Sequence, residues 1–241
     1  MQILHVTLWL YATALKRSLE CVSKNWIVSF APVVYGIGLS IVGTLVAPFG
    51  IIGGFLYSLA SAACASSALF LIKNMVESGK TDVRDFLNGF TVYIWEVITI
   101  GFILWIPTWA VATSLASLPN GALIFFLIRL CLYIILNAVP ELIYQSRASG
   151  LELIGASYNF IVENWLEWLI PNIIFALGGY YLLQLIEPFL FDLPGFVNLF
   201  LYAFIVGLGL TYLMTFRGFL FAELNGTTRR SRIYRYRARA D

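Results

Sequence analysis

The sequence predicts an all-α, polytopic integral membrane protein with six transmembrane helices and two or three amphipathic interfacial helices. Its composition is the first of three observations behind this prediction. The chain has 241 residues, of which 60% are hydrophobic and 12% charged, whereas soluble domains carry about 25% charged residues. Its long apolar runs have about the 20 residues that a helix needs to cross a bilayer. Because a backbone in lipid must satisfy its own hydrogen bonds, these runs are predicted to be helices.

The second observation is a segment that recurs at an offset of 139 residues. SLECVSKNWIVSFAP (18–32) aligns with SYNFIVENWLEWLIP (157–171), so that Ser18, Asn25, Trp26 and Pro32 fall on Ser157, Asn164, Trp165 and Pro171. In both copies a one-sided amphipathic segment runs through Asn-Trp into an apolar one. This pattern is expected where a helix on the membrane surface continues into one that crosses it. Trp26 and Trp165 are predicted to anchor the two copies at equivalent interfacial depths.

The elements follow in chain order. Residues 1–15 are apolar, but Lys16 and Arg17 come after them, unlike in a signal peptide, so no cleavage is predicted. An interfacial helix is predicted from a helically spaced apolar stripe, with charged residues on the opposite face of the helix. The stripe consists of Leu8, Tyr11, Leu15, Leu19, Val22 and Trp26. A second such helix is predicted at 147–163, and a degenerate third before the span at 91.

The predicted spans are 26–47, 51–73, 91–117, 121–144, 165–187 and 196–217, the last extending as a helix to about 224. They belong to one membrane domain, residues 1–225, followed by a basic tail at 226–241. Because three pairs of spans return the chain to the same side each time, the repeat is predicted to be parallel. Its units are approximately 5–76, 80–145 and 147–224.

The third observation is that every Lys and Arg except Arg129 lies on one side of these spans. The positive-inside rule therefore predicts a multi-pass protein of the cell membrane with both termini in the cytoplasm.

Arg129 is the first candidate binding residue. It lies nine residues beyond Asn120, which places it about 13 Å into the bilayer at 1.5 Å per residue. An ionisable group at that depth is a functional hypothesis by default. Glu187, Asp192 and Glu96 are its candidate partners, and a structural ion pair or snorkelling towards the interface is the alternative.

Asn137 and Glu141 are the second pair of candidates. They flank Pro140 near the inner end of the fourth predicted span. A proline there frees a backbone carbonyl, which Asn137 or a neighbouring helix can satisfy. The pattern favours a kink over a binding site.

The tail is the third candidate, as a surface for anionic lipid at the cytoplasmic face. Basic residues near a membrane each contribute about 1 kcal/mol of attraction to it. Arginine interleaved with tyrosine also suits RNA, but a tail tethered beside a membrane meets lipid first, so nucleic acid is not the predicted partner. A topological anchor is the plainer alternative. The lipid-facing residues are predicted to be Arg229, Arg230, Arg232, Arg235, Arg237 and Arg239.

Catalytic chemistry finds little support in the sequence. His5 is the only histidine, which excludes histidine-based metal or haem centres and Ser-His triads built from this chain alone. The three cysteines have no metal-like spacing. The sequence therefore favours a protein without catalytic activity, metal or cofactor. It predicts a membrane subunit or scaffold that docks lipids or other membrane subunits at its cytoplasmic face. The alternative is a transporter or channel component for a small anion that uses Arg129. A lipid-handling enzyme is the third hypothesis, and it would need carboxylate or lysine chemistry from Glu96, Glu141 or Glu187.

Overall fold

The computed structural model of the chain describes residues 2–191 and 193–240. These residues form ten α-helices and two short 3₁₀ helices, and no strand occurs among them. The α-helices are α1 (Gln2–Lys24), α2 (Ala31–Val46), α3 (Gly50–Ser78), α4 (Val83–Val92), α5 (Ile94–Leu115), α6 (Gly121–Ile135), α7 (Val139–Gln145), α8 (Leu151–Phe191), α9 (Gly195–Leu224) and α10 (Arg229–Ala240). The predicted all-α class is confirmed.

Within the described residues, five helical stretches are long and apolar enough to cross a membrane: Trp26–Ser78, Ile94–Leu115, Gly121–Gln145, Leu151–Leu190 and Gly195–Leu224. Between 6% and 22% of the most apolar window of each stretch is buried inside the protein. Most of their apolar side chains therefore face outward, which is unfavourable in water and favourable in lipid. The fold is that of a multi-pass helical membrane protein.

The first of these stretches contains two helices that pack side by side. The chain turns at Gly50, whose φ of +54° favours glycine. A Cβ on Gly53 would lie 2.0 Å from the carbonyl oxygen of Val46, so this close approach also requires glycine. Tyr35 of α2 donates a hydrogen bond of 2.8 Å to Ser67 of α3. Helices α2 and α3 thus form a hairpin.

Three residues with similar non-helical backbone angles precede apolar helices. The φ and ψ angles are −118° and 32° at Asn25, −117° and 12° at Tyr93, and −127° and 20° at Asn164 inside α8. Two predicted spans start directly after a break, at residue 26 after Asn25 and at residue 165 after Asn164. The predicted span start at residue 91 lies two residues before the break at Tyr93.

The buried core lies at one end of the molecule. Its residues come from the C-terminal parts of α3 and α9, the N-terminal parts of α5 and α8, and from α1 and α7. At the opposite end, the turns at 47–50 and 116–120 are exposed. The side chains discussed below lie in or beside the packed end.

The tail folds against the rest of the chain. Helix α10 packs on α1, where the ring centroids of Trp9 and Tyr236 lie 5.8 Å apart and Ile233 joins the core. These apolar contacts give an arginine-rich segment a defined position. The sequence identified the charges of this segment but not the surface on which it docks.

Candidate functional site

A break between α6 and α7 positions the polar residues of the site. Residues 136–138 leave the helix, and Pro140 occupies the first turn of α7. Proline lacks a backbone N–H and is tolerated there. The predicted kink at this position is therefore confirmed, and the break turns both the carbonyl and the side chain of Asn137 towards other helices.

Glu141 and Arg217 form a buried ion pair across α7 and α9. Arg217 donates from Nε and Nη2 to the two carboxylate oxygens of Glu141, at 2.7 and 2.8 Å. The exposed fractions of the residues are 0% for Glu141 and 9% for Arg217. Such a bidentate, charge-assisted pair is among the strongest polar contacts in proteins.

Asn137 and Trp168 complete the network around this pair. Arg217 also donates to the backbone carbonyl of Asn137, and the indole N–H of Trp168 donates to Asn137 Oδ1 at 2.9 Å. The guanidinium carbon of Arg217 lies 5.1 Å from the Trp168 ring centroid, within the range of a cation–π contact. The network thus joins the α6–α7 break to α7, α8 and α9.

A cavity of about 770 Å³ opens between α5, α6 and α9 beside this network. Its polar lining comes from Thr108, Arg129, Tyr133, Asn137 and Arg217, and the remaining lining residues are apolar. Two arginines therefore line one cavity. Arg129 and Asn137, two of the candidate residues from the sequence, both line this cavity.

The two arginines differ in their partners. Glu141 balances the charge of Arg217. Arg129 is exposed, and its guanidinium carbon lies 5.7 Å from the ring centroid of Phe125. Among the residues whose side chains the structure describes, no carboxylate lies within 4.0 Å of Arg129.

Glu187 and Glu96 do not join the site. Glu187 is exposed near the end of α8, and Glu96 lies in the first turn of α5. The alternative of a structural ion pair therefore finds no contact within 4.0 Å between Arg129 and either Glu187 or Glu96. The side chain of Asp192, the other candidate partner, lies outside the described residues.

A second polar cluster holds the start of the tail. Arg229 donates from Nε and Nη2 to the two carboxylate oxygens of Glu167, at 2.8 and 3.1 Å. Arg232 donates to Asn164 Oδ1 at 2.6 Å, and its Nη1 lies 3.9 Å from Glu167 Oε1. Hydrogen bonding to Glu167 raises the pKa of Arg229, whereas burial lowers the pKa of Arg232.

These contacts correct part of the prediction for the tail. The prediction of a lipid-facing side chain is wrong for Arg232, which is 5% exposed, and Arg229 is held by Glu167. Arg235 lies 3.6 Å from Glu223, and Arg230 is exposed. The side chains of Arg237 and Arg239 lie outside the described residues. Lipid binding by the tail stays a prediction for those arginines that remain accessible.

Asn25 and Asn164 make similar contacts. The side-chain amide of each donates to the carbonyl four residues earlier, at 2.8 Å for Asn25 and 3.2 Å for Asn164. The side-chain oxygen of each asparagine accepts a hydrogen bond from a later segment of the chain. Asn25 accepts from the backbone N–H of Thr81, after α3, at 3.0 Å, and Asn164 accepts from Arg232, after α9. The neighbouring Trp26 and Trp165 are 53% and 52% exposed.

Sequence reasoning missed Arg217, Glu167 and Trp168. In the sequence, Arg217 contributes only to the charge asymmetry that predicts the orientation of the spans. A signal was present, because Arg217 interrupts the apolar run from Leu213 to Phe221, and a charge inside such a run marks a paired or functional group. Its partner could not be read from the sequence, since 76 residues separate it from Glu141.

A metal centre is not part of this geometry. Within the described residues, no three His, Cys, Asp or Glu side chains are grouped so that they could hold a metal ion. Comparisons with protein-family models, with curated proteins and with solved structures find no match for this chain.

Proposed function

We propose that this protein binds a small anion in the cavity beside Arg129 and acts as a transporter or channel component for that anion. The charge of the cavity is the observation that carries the proposal. Two guanidinium groups line it, and Glu141 balances only that of Arg217. An arginine at the centre of a membrane helix costs about 2.5–3.5 kcal/mol on insertion scales. A bound anion offsets part of that cost.

One other polar group of the cavity suits the same ligand. Tyr133 carries a hydroxyl donor and lines the cavity with Arg129, whereas the Thr108 hydroxyl already donates to the carbonyl of Leu104 at 2.6 Å. Most of the remaining lining is apolar, which lowers the local dielectric constant and strengthens a charge–charge contact. Arg217 lines the cavity as part of a neutral ion pair with Glu141 and is not available to balance an anion.

Anion flux into proteoliposomes tests this function. Arg129→Gln removes the unbalanced charge, so flux of chloride, nitrate or phosphate should fall at least about tenfold, the loss expected for a charge-assisted contact. Arg147→Gln is the matched control, because Arg147 is exposed in the loop between α7 and α8. Flux through Arg129→Gln at the level of the unmodified protein would refute the proposal.

The second candidate is a membrane subunit or scaffold that docks partners or lipids at its cytoplasmic face. Helix α4 is the observation that favours it, because Val83 and Leu87 are 71% and 64% exposed on a helix whose other side packs on α3. On this hypothesis Leu87→Asp should release a partner subunit and reduce the size of the detergent-solubilised complex. An unchanged size would count against it.

A six-span arrangement with both termini in the cytoplasm completes the proposal. Helices α2 and α3, α5 and α6, and the second part of α8 with α9 provide three pairs of long apolar segments. Before each pair the backbone breaks at similar angles, at Asn25, Tyr93 and Asn164. These three breaks support a parallel repeat in which an amphipathic helix precedes each hairpin.

A further inference from the structure

A second cavity, of about 390 Å³, lies between α3, α5, α7 and α9. Its lining side chains are all apolar: Ala65, Ala68, Leu69, Ile72, Val97, Ile100, Val139, Pro140, Ile143 and Met214. Five of them are less than 10% exposed, so much of this wall belongs to the core: Leu69, Ile72, Ile100, Val139 and Ile143.

This apolar cavity adjoins the cavity that contains Arg129. Pro140 lines both of them. On α5, Ile100 lines the apolar cavity and Leu104, one turn further, lines the arginine cavity. The face of α5 from Val97 to Thr108 therefore runs past both, over about 16 Å at 1.5 Å per residue.

The chemistry of its walls determines what can fill the apolar cavity. The cavity is open to the surroundings of the protein rather than enclosed. Ordered water needs two to four polar partners, and the side chains around this cavity offer none. A flexible hydrocarbon chain needs no polar partner and suits these walls.

We propose that the two cavities together bind one anionic amphiphile. Its negatively charged headgroup lies at Arg129, and one acyl or alkyl chain occupies the apolar cavity past Pro140. The inference rests on the proposed anion site and names the class of anion that the site takes. Glu141 already holds Arg217, so Arg129 is the ionic partner of the headgroup. A neutral amphiphile lacks that partner.

Photo-crosslinking in nanodiscs of zwitterionic lipid tests this inference. The probe is dodecyl phosphate with a diazirine at the end of its chain, and the matched neutral probe is dodecanol with the same group. We expect the phosphate probe to label the segments 65–72 and 97–100, and excess inorganic phosphate to displace it. Labelling by the neutral probe should be at least about tenfold weaker, as should labelling of Arg129→Gln by the phosphate probe.

A variant that fills the apolar cavity tests binding of the hydrocarbon chain independently of binding of the headgroup. Ala65→Phe should lower chain-end labelling about tenfold, while Arg129-dependent binding of inorganic phosphate stays unchanged and shows that the protein is folded. Ala110→Phe is the control, because Ala110 is exposed on α5 and lines neither cavity.

The possible results distinguish this inference from the function on which it rests. Arg129-dependent binding of inorganic phosphate without labelling of the two segments would overturn the amphiphile and leave the small-anion proposal standing. Equal labelling of the two segments in Arg129→Gln and in the unmodified protein would overturn the proposal, because chains would then enter the apolar cavity without a headgroup at Arg129. Absence of both phosphate binding and labelling would remove the two proposals together.

Discussion

Arg129 and Arg217 line one cavity in two different electrostatic states. Arg217 is buried, and both oxygens of Glu141 accept hydrogen bonds from it. Arg129 is exposed and has no carboxylate within 4.0 Å among the described side chains. We therefore assign a structural role to Arg217 and the ligand contact to Arg129.

A double-mutant cycle tests the structural role of Arg217. Removing one member of a buried ion pair leaves an uncompensated charge and typically costs 3–5 kcal/mol. Glu141→Gln and Arg217→Gln should each lower the free energy of unfolding by about that amount, and the double variant should recover much of the loss. Thermal melting of the three solubilised proteins measures it. A double variant as unstable as the sum of the single ones would mean that the pair does not act as a unit.

Sequence reasoning could identify Arg129 because an isolated charge in an apolar span is visible without a structure. It could also identify the break at Asn137, since proline inside a helix has a local effect. The Glu141–Arg217 pair depends on the packing of α7 against α9, which no local pattern encodes. For that reason the sequence suggests candidate partners for Arg129 but not the buried pair beside it.

At the scale of elements, Asn25 and Asn164 each lie at a break in the helical backbone and hold a later segment of the chain. Asn25 accepts a hydrogen bond from the backbone after α3, and Asn164 accepts one from Arg232 in α10. The Asn-Trp pattern allowed both helix ends to be predicted. The docking of α10 could not be predicted, because its acidic partner Glu167 lies 62 residues before Arg229.

Replacing Asn164 should release the tail. In Asn164→Leu the guanidinium of Arg232 loses an acceptor, and a buried polar group without its partner costs about 1–3 kcal/mol. Amide hydrogen exchange across 229–236 should therefore become faster. Asn159→Leu, at an exposed position of α8, is the control and should leave exchange unchanged. Equal exchange in Asn164→Leu and the unmodified protein would show that the tail does not depend on this contact.

Variants of Arg230 and Arg232 distinguish lipid binding by the tail from docking of the tail, when amide exchange and vesicle binding are both measured. Arg232→Gln removes the contact with Asn164 and should speed exchange in α10. Arg230 is exposed, so Arg230→Gln should leave exchange unchanged and weaken binding to vesicles that contain anionic lipid. The reverse assignment of the two effects would contradict the placement of these side chains.

At the scale of the whole molecule, packing is concentrated at one end of the helices. The core collects the ends of α3, α5, α8 and α9 together with α1 and α7. Composition alone could predict the helical membrane class, because apolar runs of about 20 residues are typical of helices that cross a bilayer. The concentration of the core at one end could not be predicted, since it depends on which helix ends meet.

Cysteine labelling tests the six-span topology with both termini in the cytoplasm. In a chain from which Cys21, Cys64 and Cys131 have been removed, a cysteine at position 120 or 192 should react with an impermeant reagent from outside intact cells. A cysteine at position 80 or 230 should react only after the membrane is permeabilised. Labelling of position 80 from outside would refute this topology.

Ligand-dependent melting of the purified protein tests the assignment of Arg129 most directly. A ligand at 100 times its dissociation constant stabilises the folded state by about 2.7 kcal/mol. We expect the unmodified protein and Arg147→Gln to melt at higher temperature when the anion is added. Arg129→Gln should melt like the unmodified protein without the anion and gain nothing when it is added. Stabilisation of Arg129→Gln by the anion, or a lower melting temperature of this variant without it, would contradict a ligand-binding role for Arg129.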